Sequence, residues 1–208
     1  MGVLDELSSV VGDRTEAANR RVIARCLQEP ALLEEIAGGL QSVDRRLVAD
    51  CAEVFCEVAA EQPDWVAPYA ERMAPLIYHQ AGRVRWEAMR AISRVADRVP
   101  LLIETLVPDL LKIVRGDKSV IMRDGAVDAL SRYACLGPEQ AVLAYPGLCE
   151  ALEAFAGKQA HHAMPGLVCV ARFLPAHREA IRGALTTFLE DKRGVVRQAA
   201  KRALREMG

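Results

Sequence analysis

The feature that most constrains the fold is a period of 33 to 38 residues marked by proline. Successive intervals of 33, 37, 38 and 37 residues separate Pro30, Pro63, Pro100, Pro138 and Pro175. A helical pattern follows each of them, and the first turn of a helix tolerates proline because its missing N–H would be unpaired there anyway. A period of this length predicts a stack of helical repeats, since one repeat cannot bury its apolar face alone.

Residues 100–134 show the repeating unit most clearly, as two helical patterns joined by a short polar turn at 115–119. Apolar residues spaced by three and four mark the first helix, at Leu102, Leu106, Leu110 and Ile113. The second helix has a matching stripe at Met122, Ala126, Ala129, Leu130 and Tyr133. These spacings predict an amphipathic helical hairpin.

The second helices align best across the chain. Residues 84–92, 122–130 and 196–204 match position for position, with a small Ala at the fifth and eighth positions that permits close helix packing. Residues 47–55 are a looser copy. Residues 163–171 are the weakest, because Pro165 and Gly166 occupy helix-interior positions, and there we expect the helix to start late.

An apolar–Arg–x–x–Ala–x–x–Ala–Leu core, with an Asp six residues before the Arg, resembles HEAT repeats, including the bacterial HEAT-like class. Asp117 with Arg123 and Asp191 with Arg197 carry the full spacing. The resemblance implies that these residues form a structural ladder joining successive turns. Ser42 and His79 replace the turn Asp, and Val48 replaces the Arg, so the ladder is expected only in patches.

The resemblance also implies the architecture: an all-α, right-handed α-α superhelix, an armadillo-like solenoid of about five to six helical hairpins. We expect a single domain over residues 1–208, in which the polar closing helix caps a complete array. Its approximate units are 3–29, 31–61, 63–99, 100–136, 138–174 and 175–208.

The net charge, the hydropathy pattern and the cysteines restrict the kind of partner and the cellular compartment. The net charge of −1 gives no overall field that would attract nucleic acid or an anionic membrane. No apolar run approaches the length of about 18 residues that a transmembrane helix needs. The six cysteines form no CxxC pair, and most fall on apolar stripes, so we expect free thiols, no zinc site and a reducing, cytoplasmic location.

The sequence carries none of the common catalytic motifs: GxSxG, the P-loop, GxGxxG and HExxH are absent. The adjacent pair His161 and His162 would diverge by about 100° on a helix and cannot chelate one metal as an i, i+4 pair does. We expect this pair on a solvated turn before Pro165. The chain is therefore predicted not to be an enzyme, with no catalytic residue, metal or cofactor.

The second helices supply the candidate binding residues, since the resemblance implies that they line the concave side. We predict a partner-binding row of Arg85, Trp86, Met89, Arg123, Val127, Arg197 and Lys201. Trp86 either anchors a partner or packs sideways onto the adjacent repeat. Opposite charges at one helical position in successive repeats, Glu53, Arg90 and Asp128, predict ion pairs between repeats.

The favoured function is a non-enzymatic scaffold or adaptor that binds a protein partner on its concave face. Nucleic-acid binding, as in HEAT-like proteins that resemble DNA-alkylation-repair glycosylases, is disfavoured because acidic residues interrupt the arginine stripes. A bilin-lyase-like subunit is the second alternative, and only the shared repeat supports it.

Overall fold

The computed structural model describes residues 2–15 and 17–208, and all regular secondary structure in this part of the chain is helical. The prediction of an all-α solenoid is confirmed. The chain divides into two compact units, unit 1 (Met1–Val99) and unit 2 (Pro100–Gly208). The division falls at a predicted repeat boundary, and the single domain over 1–208 stays a prediction.

Unit 1 is built around its second helices. Its α-helices are α1 (Ser8–Val11), α2 (Ala17–Gln28), α3 (Leu32–Gly39), α4 (Arg45–Glu61), α5 (Pro63–Val66), α6 (Ala70–Met73) and α7 (Gly82–Val95). Helix α4 packs against both α2 and α7. Phe55 of α4 and Ile92 of α7 are fully buried, so these helices form the core of the unit.

Prolines break the first helix of the third repeat into short pieces. Between α5 and α6 lies the 3-10 segment Ala67–Tyr69, which contains Pro68, and the 3-10 segment Ala74–Tyr78 follows α6. Proline lacks the N–H that an α-helix interior needs. Around Pro68 the α-helix is therefore replaced by 3-10 turns.

Unit 2 repeats the arrangement with longer first helices. Its α-helices are α8 (Pro100–Gly116), α9 (Val120–Ala134), α10 (Pro138–Gly157), α11 (Ala160–Phe173), α12 (Arg178–Thr186) and α13 (Gly194–Met207). Helix α9 packs against α8, α10 and α11, and α11 packs in turn against α10, α12 and α13. The second helices α9, α11 and α13 thus form one continuous row.

Helix α11 corrects two predictions. It begins at Ala160, so Pro165 lies within the helix, the helix does not start late, and His161 and His162 are helical instead of lying on a turn. The packing of α11 against α9 explains why a glycine, Gly166, follows Pro165. A Cβ atom at this position would lie 2.6 Å from the Cα atom of Ser131, so its absence lets α11 approach the backbone of α9 closely.

The cysteines correct a further prediction. A disulfide joins Cys135, at the end of α9, to Cys169 of α11, so this pair is not free and the argument for a reducing compartment fails. Burial raises the pKa of the Cys26 thiol to about 11 and that of the Cys51 thiol to about 12. These two buried thiols are protonated and unreactive at neutral pH.

No helix among the described residues is both long and apolar enough to cross a bilayer.

The close approach of α9 and α11 predicts opposite effects for two glycine substitutions. Gly166→Ala places a methyl group against the backbone of α9 and should lower the free energy of unfolding by about 1 to 3 kcal/mol. Gly183→Ala, on α12, meets nothing within 4 Å and should raise it by about 0.5 to 1 kcal/mol, as expected for Ala in a helix interior. Urea unfolding measures both, and a neutral Gly166→Ala would contradict the close approach.

Candidate functional site

The same side-chain hydrogen bond closes the turn before four of the second helices. Ser42, His79, Asp117 and Asp191 each accept a hydrogen bond from the backbone N–H two residues later, over 3.1, 3.0, 2.8 and 2.8 Å. In each case the donor is the residue that caps the following helix. Ser42 and His79 therefore close the turn in the same way as the Asp that they replace.

The repeat arginines fix the same turns from the helix side. Arg123 donates to the backbone carbonyl of Asp117, and Arg197 donates to the backbone carbonyl of Asp191 over 2.6 Å. A link to the next repeat runs from Arg123 through Gln159, which accepts from Arg123 Nε over 3.2 Å and donates to Asp124 over 2.9 Å. A ladder joining successive turns through Asp and Arg themselves stays a prediction.

The residues of the predicted partner-binding row differ in how deeply they are buried. Met89 and Val127 have no exposed surface and Arg123 is 2% exposed, so we leave these three out of the binding surface. Arg85, Trp86 and Arg197 are half-buried, and Lys201 is exposed.

The half-buried members of the row are held by the chain itself. Arg85 Nε donates to the carbonyl of Ile77 over 3.0 Å. The ring of Trp86 lies over Gly82 of its own helix, where a Cβ atom would be 3.1 Å from the ring. Trp86 is thus neither fully exposed nor fully buried.

In unit 1 the arginines of α7 pair with the carboxylates of α4. Arg83 lies 2.8 Å from Asp50 and 2.6 Å from Glu53, and Arg90 lies 3.2 Å from Glu57. Ion pairs between repeats therefore occur, but between other pairs of residues than the aligned Glu53 and Arg90. The Arg90–Glu57 pair is partly exposed on both sides, which limits it to about 0 to 1 kcal/mol.

In unit 2 an open groove of about 390 Å³ runs between α11 and α13, and we call it the α11–α13 groove. Its lining residues are His161, Met164, Pro165, Val168, Val195, Gln198, Ala199, Arg202, Ala203 and Glu206. Met164, Val168 and Ala203 are buried and form an apolar floor, while Gln198, Arg202 and Glu206 are exposed at the rim. Val195 is 54% exposed, a large fraction for an aliphatic side chain.

The two histidines connect this groove to α9. His161 lines the groove, and its ring stacks on that of His162 with centroids 4.0 Å apart. His162 Nδ1 lies 2.8 Å from Asp128, and its Nε2 lies 3.8 Å from Asp124. Across residues 2–15 and 17–208, no cluster of three or more His, Cys, Asp or Glu side chains is arranged to hold a metal ion.

Their surroundings move the two imidazole pKa values in opposite directions. Burial, followed by the charge of His162, lowers the pKa of His161. Burial also acts to lower the pKa of His162, but the hydrogen bond to Asp128 and the charges of Asp128 and Asp124 outweigh it and raise that pKa. Of the two rings, His162 is therefore the first to take a proton as the pH falls.

The last residues of α10 form a turn with an unusual backbone. Phe155, Ala156 and Gly157 have φ values of 51°, 58° and 64°, in the left-handed region that non-glycine residues seldom occupy. The guanidinium of Arg123 lies 3.7 Å from the Phe155 ring centroid, and Arg193 donates to the carbonyl of Gly157 over 2.9 Å. Two arginines from neighbouring helices therefore hold a strained turn in place.

The repeat geometry agrees with a comparison against family models, in which residues 82–133 match the HEAT-like repeat. The match covers α7, α8 and α9, the part of the chain in which the sequence pattern is clearest.

Solved structures support the same fold across the chain. A designed armadillo repeat protein in complex with the peptide (KR)4 has a TM-score of 0.75 at 17% identity, covering 99% of this chain and 98% of its own. Computationally designed armadillo repeat proteins for modular peptide recognition give 0.72 at 18%, covering 99% and 98%. An engineered protein gives 0.72 at 18%, covering 99% and 94%. A comparison with curated proteins found no match.

The opposite pKa shifts predict a pH-dependent contribution from His162. A raised pKa in the folded state means that the stabilising effect is complete at acid pH and is lost as the pH rises through that pKa. His162→Gln should therefore reduce the free energy of unfolding more at about pH 5.5 than at about pH 8. Urea unfolding at both values measures this, with His177→Gln as a control outside the Asp124–Asp128 cluster. An equal loss at the two pH values would contradict the assignment.

Proposed function

We propose that this chain is a non-enzymatic scaffold that binds a segment of a partner protein along the exposed faces of α9, α11 and α13. The α11–α13 groove carries the proposal, because it combines an apolar floor with a polar rim on the second-helix row. One structural neighbour is in complex with a peptide and another was designed for modular peptide recognition, which supports a peptide segment as the ligand. Lys201 and Arg197 of the predicted row lie on α13 and remain part of the proposed surface.

Nucleic-acid binding is less well supported. A nucleic-acid site needs basic side chains that are available to phosphates. On α7, Arg83 and Arg90 pair with carboxylates of unit 1, and Arg94 donates to the backbone carbonyl of Cys56 and lies 3.2 Å from Glu57. Binding of DNA along α7 would have to break these contacts, so we keep a protein partner as the proposed function.

The bilin-lyase-like alternative gains no specific support from the described residues. The absence of catalytic motifs in the sequence likewise favours a binding role over an enzymatic one. The α11–α13 groove can bind a ligand by burying its apolar groups and by forming ion pairs with its charged groups.

Selection of a random peptide library against the intact protein tests the proposal. We expect binders whose addition shifts backbone NMR resonances of α9, α11 and α13 and leaves those of α8 and α10 unchanged. A scrambled version of each selected peptide is the control for non-specific charge effects. Failure to select any binder, or shifts confined to α8 and α10, would contradict the proposal.

A parallel titration with duplex DNA at low salt distinguishes nucleic-acid binding from the scaffold function. The scaffold proposal expects no salt-dependent complex, whereas nucleic-acid binding requires affinity that falls steeply as the salt concentration rises.

A further inference from the structure

We infer that the α11–α13 groove is an anchor pocket for one large apolar side chain of a peptide, with basic residues flanking that side chain towards α9 and acidic residues flanking it towards α13. This inference rests on the proposed function and specifies its ligand. Three features of unit 2 support it: the apolar floor, the charge on α9 and the opposite charge on α13.

The floor of the groove is apolar and cannot rearrange easily. Met164 is completely buried, and Val168 and Ala203 are 4% and 3% exposed, so well-packed side chains close the bottom of the groove. Val195 and Pro165 stand exposed beside them. An aromatic or long aliphatic side chain placed here would cover Val195, and large apolar anchors are the groups that dominate binding energy at interfaces.

The side of the groove towards α9 is acidic. The carboxylate side chains of Asp124 and Asp128 are 31% and 40% exposed. Both lie near His162, and a protonated His162 offsets only one of the two negative charges. His161 lines the groove and its ring contacts that of His162, so the two imidazoles link this pair to the groove. A lysine or arginine of the ligand complements the remaining charge.

The side towards α13 is basic. Lys201, Arg202 and Arg205 are exposed on this helix, and Glu206 is the nearest carboxylate, 2.8 Å from Arg202. An exposed i, i+4 pair of this kind contributes only a few tenths of a kcal/mol, so Arg202 can exchange Glu206 for a ligand carboxylate at little cost. The charges on the two sides of the groove thus fix the direction in which a charged peptide lies.

Two matched substitutions test the apolar anchor. Val195→Glu puts a charge at the groove rim, whereas Val142→Glu puts the same charge on α10 at a residue of nearly equal exposure, 54% against 55%. Peptides selected against the wild-type protein are labelled with fluorescein, and their affinities are measured by fluorescence anisotropy. We expect Val195→Glu to weaken binding at least about tenfold and Val142→Glu to leave it unchanged within about twofold.

The selected sequences test the charge assignment. We expect enrichment of Phe, Trp, Leu or Met with basic residues on one side and acidic residues on the other. Selection against Arg202→Glu should lose the acidic flank and keep the apolar anchor. Thermal unfolding of each variant checks that it is folded, and Val195 and Arg202 are exposed enough for the substitutions to be accommodated.

The outcomes separate this inference from the function on which it rests. Peptides that bind the Val195→Glu and wild-type proteins equally, or that lack an apolar anchor, would overturn the anchor pocket and leave the scaffold function standing. Failure to select any peptide would overturn both. Sedimentation velocity of the free protein tests whether a second copy of the chain fills the groove. A dimer that Val195→Glu converts to monomer would mean that it does, and the peptide anchor would then be rejected.

Discussion

The close packing of α9 against α11 is the contact on which the rest of unit 2 depends. Gly166 removes a Cβ atom that would lie 2.6 Å from the Cα atom of Ser131 in α9. Because the two backbones approach closely, His162 reaches Asp128 and Gln159 reaches Arg123. The same packing leaves the opposite side of α11 facing α13, and that side supplies Met164 and Val168 to the floor of the α11–α13 groove.

The turns add a second constraint that is local to each repeat. Before α9 and α13, a side-chain acceptor two residues before the helix cap orders the turn, and an arginine that donates to a turn carbonyl fixes the start of the second helix. This arrangement uses charged side chains for internal contacts. On α7, Arg83 and Arg90 are likewise held by carboxylates of α4, whereas Lys201, Arg202 and Arg205 of α13 are exposed.

The sequence predicts the repeats well because period and helical phase are local properties. The proline spacing and the Ala positions of 122–130 lead directly to α8 and α9. Helix α11 was harder to predict because Pro165 and Gly166 are locally unfavourable in a helix, and only packing against α9 makes them suitable. The disulfide between Cys135 and Cys169 depends on the same contact between helices, so the spacing of the cysteines alone did not indicate it.

In the candidate site too, local features could be predicted from the sequence and contacts between helices could not. Arg197 and Lys201 were found from their place on α13, but Met89 and Val127 are core residues because a helical position alone does not tell which side a neighbouring repeat covers. The α11–α13 groove was missed since its residues come from two helices with different phases. Val195 is the one signal that was visible: an apolar residue directly before the stripe of α13.

Native-state hydrogen exchange tests the central claim, that the second helices are the rigid core of each unit. Within unit 2, the account predicts that backbone amides of α9 and α11 exchange at least about tenfold more slowly than those of α8 and α10. The reason is that most residues of α9 and α11 are buried, whereas most residues of α8 and α10 are not. Within unit 1, α4 should be the most protected helix and α5 and α6 the least. Equal or greater protection of α8 and α10 would contradict it.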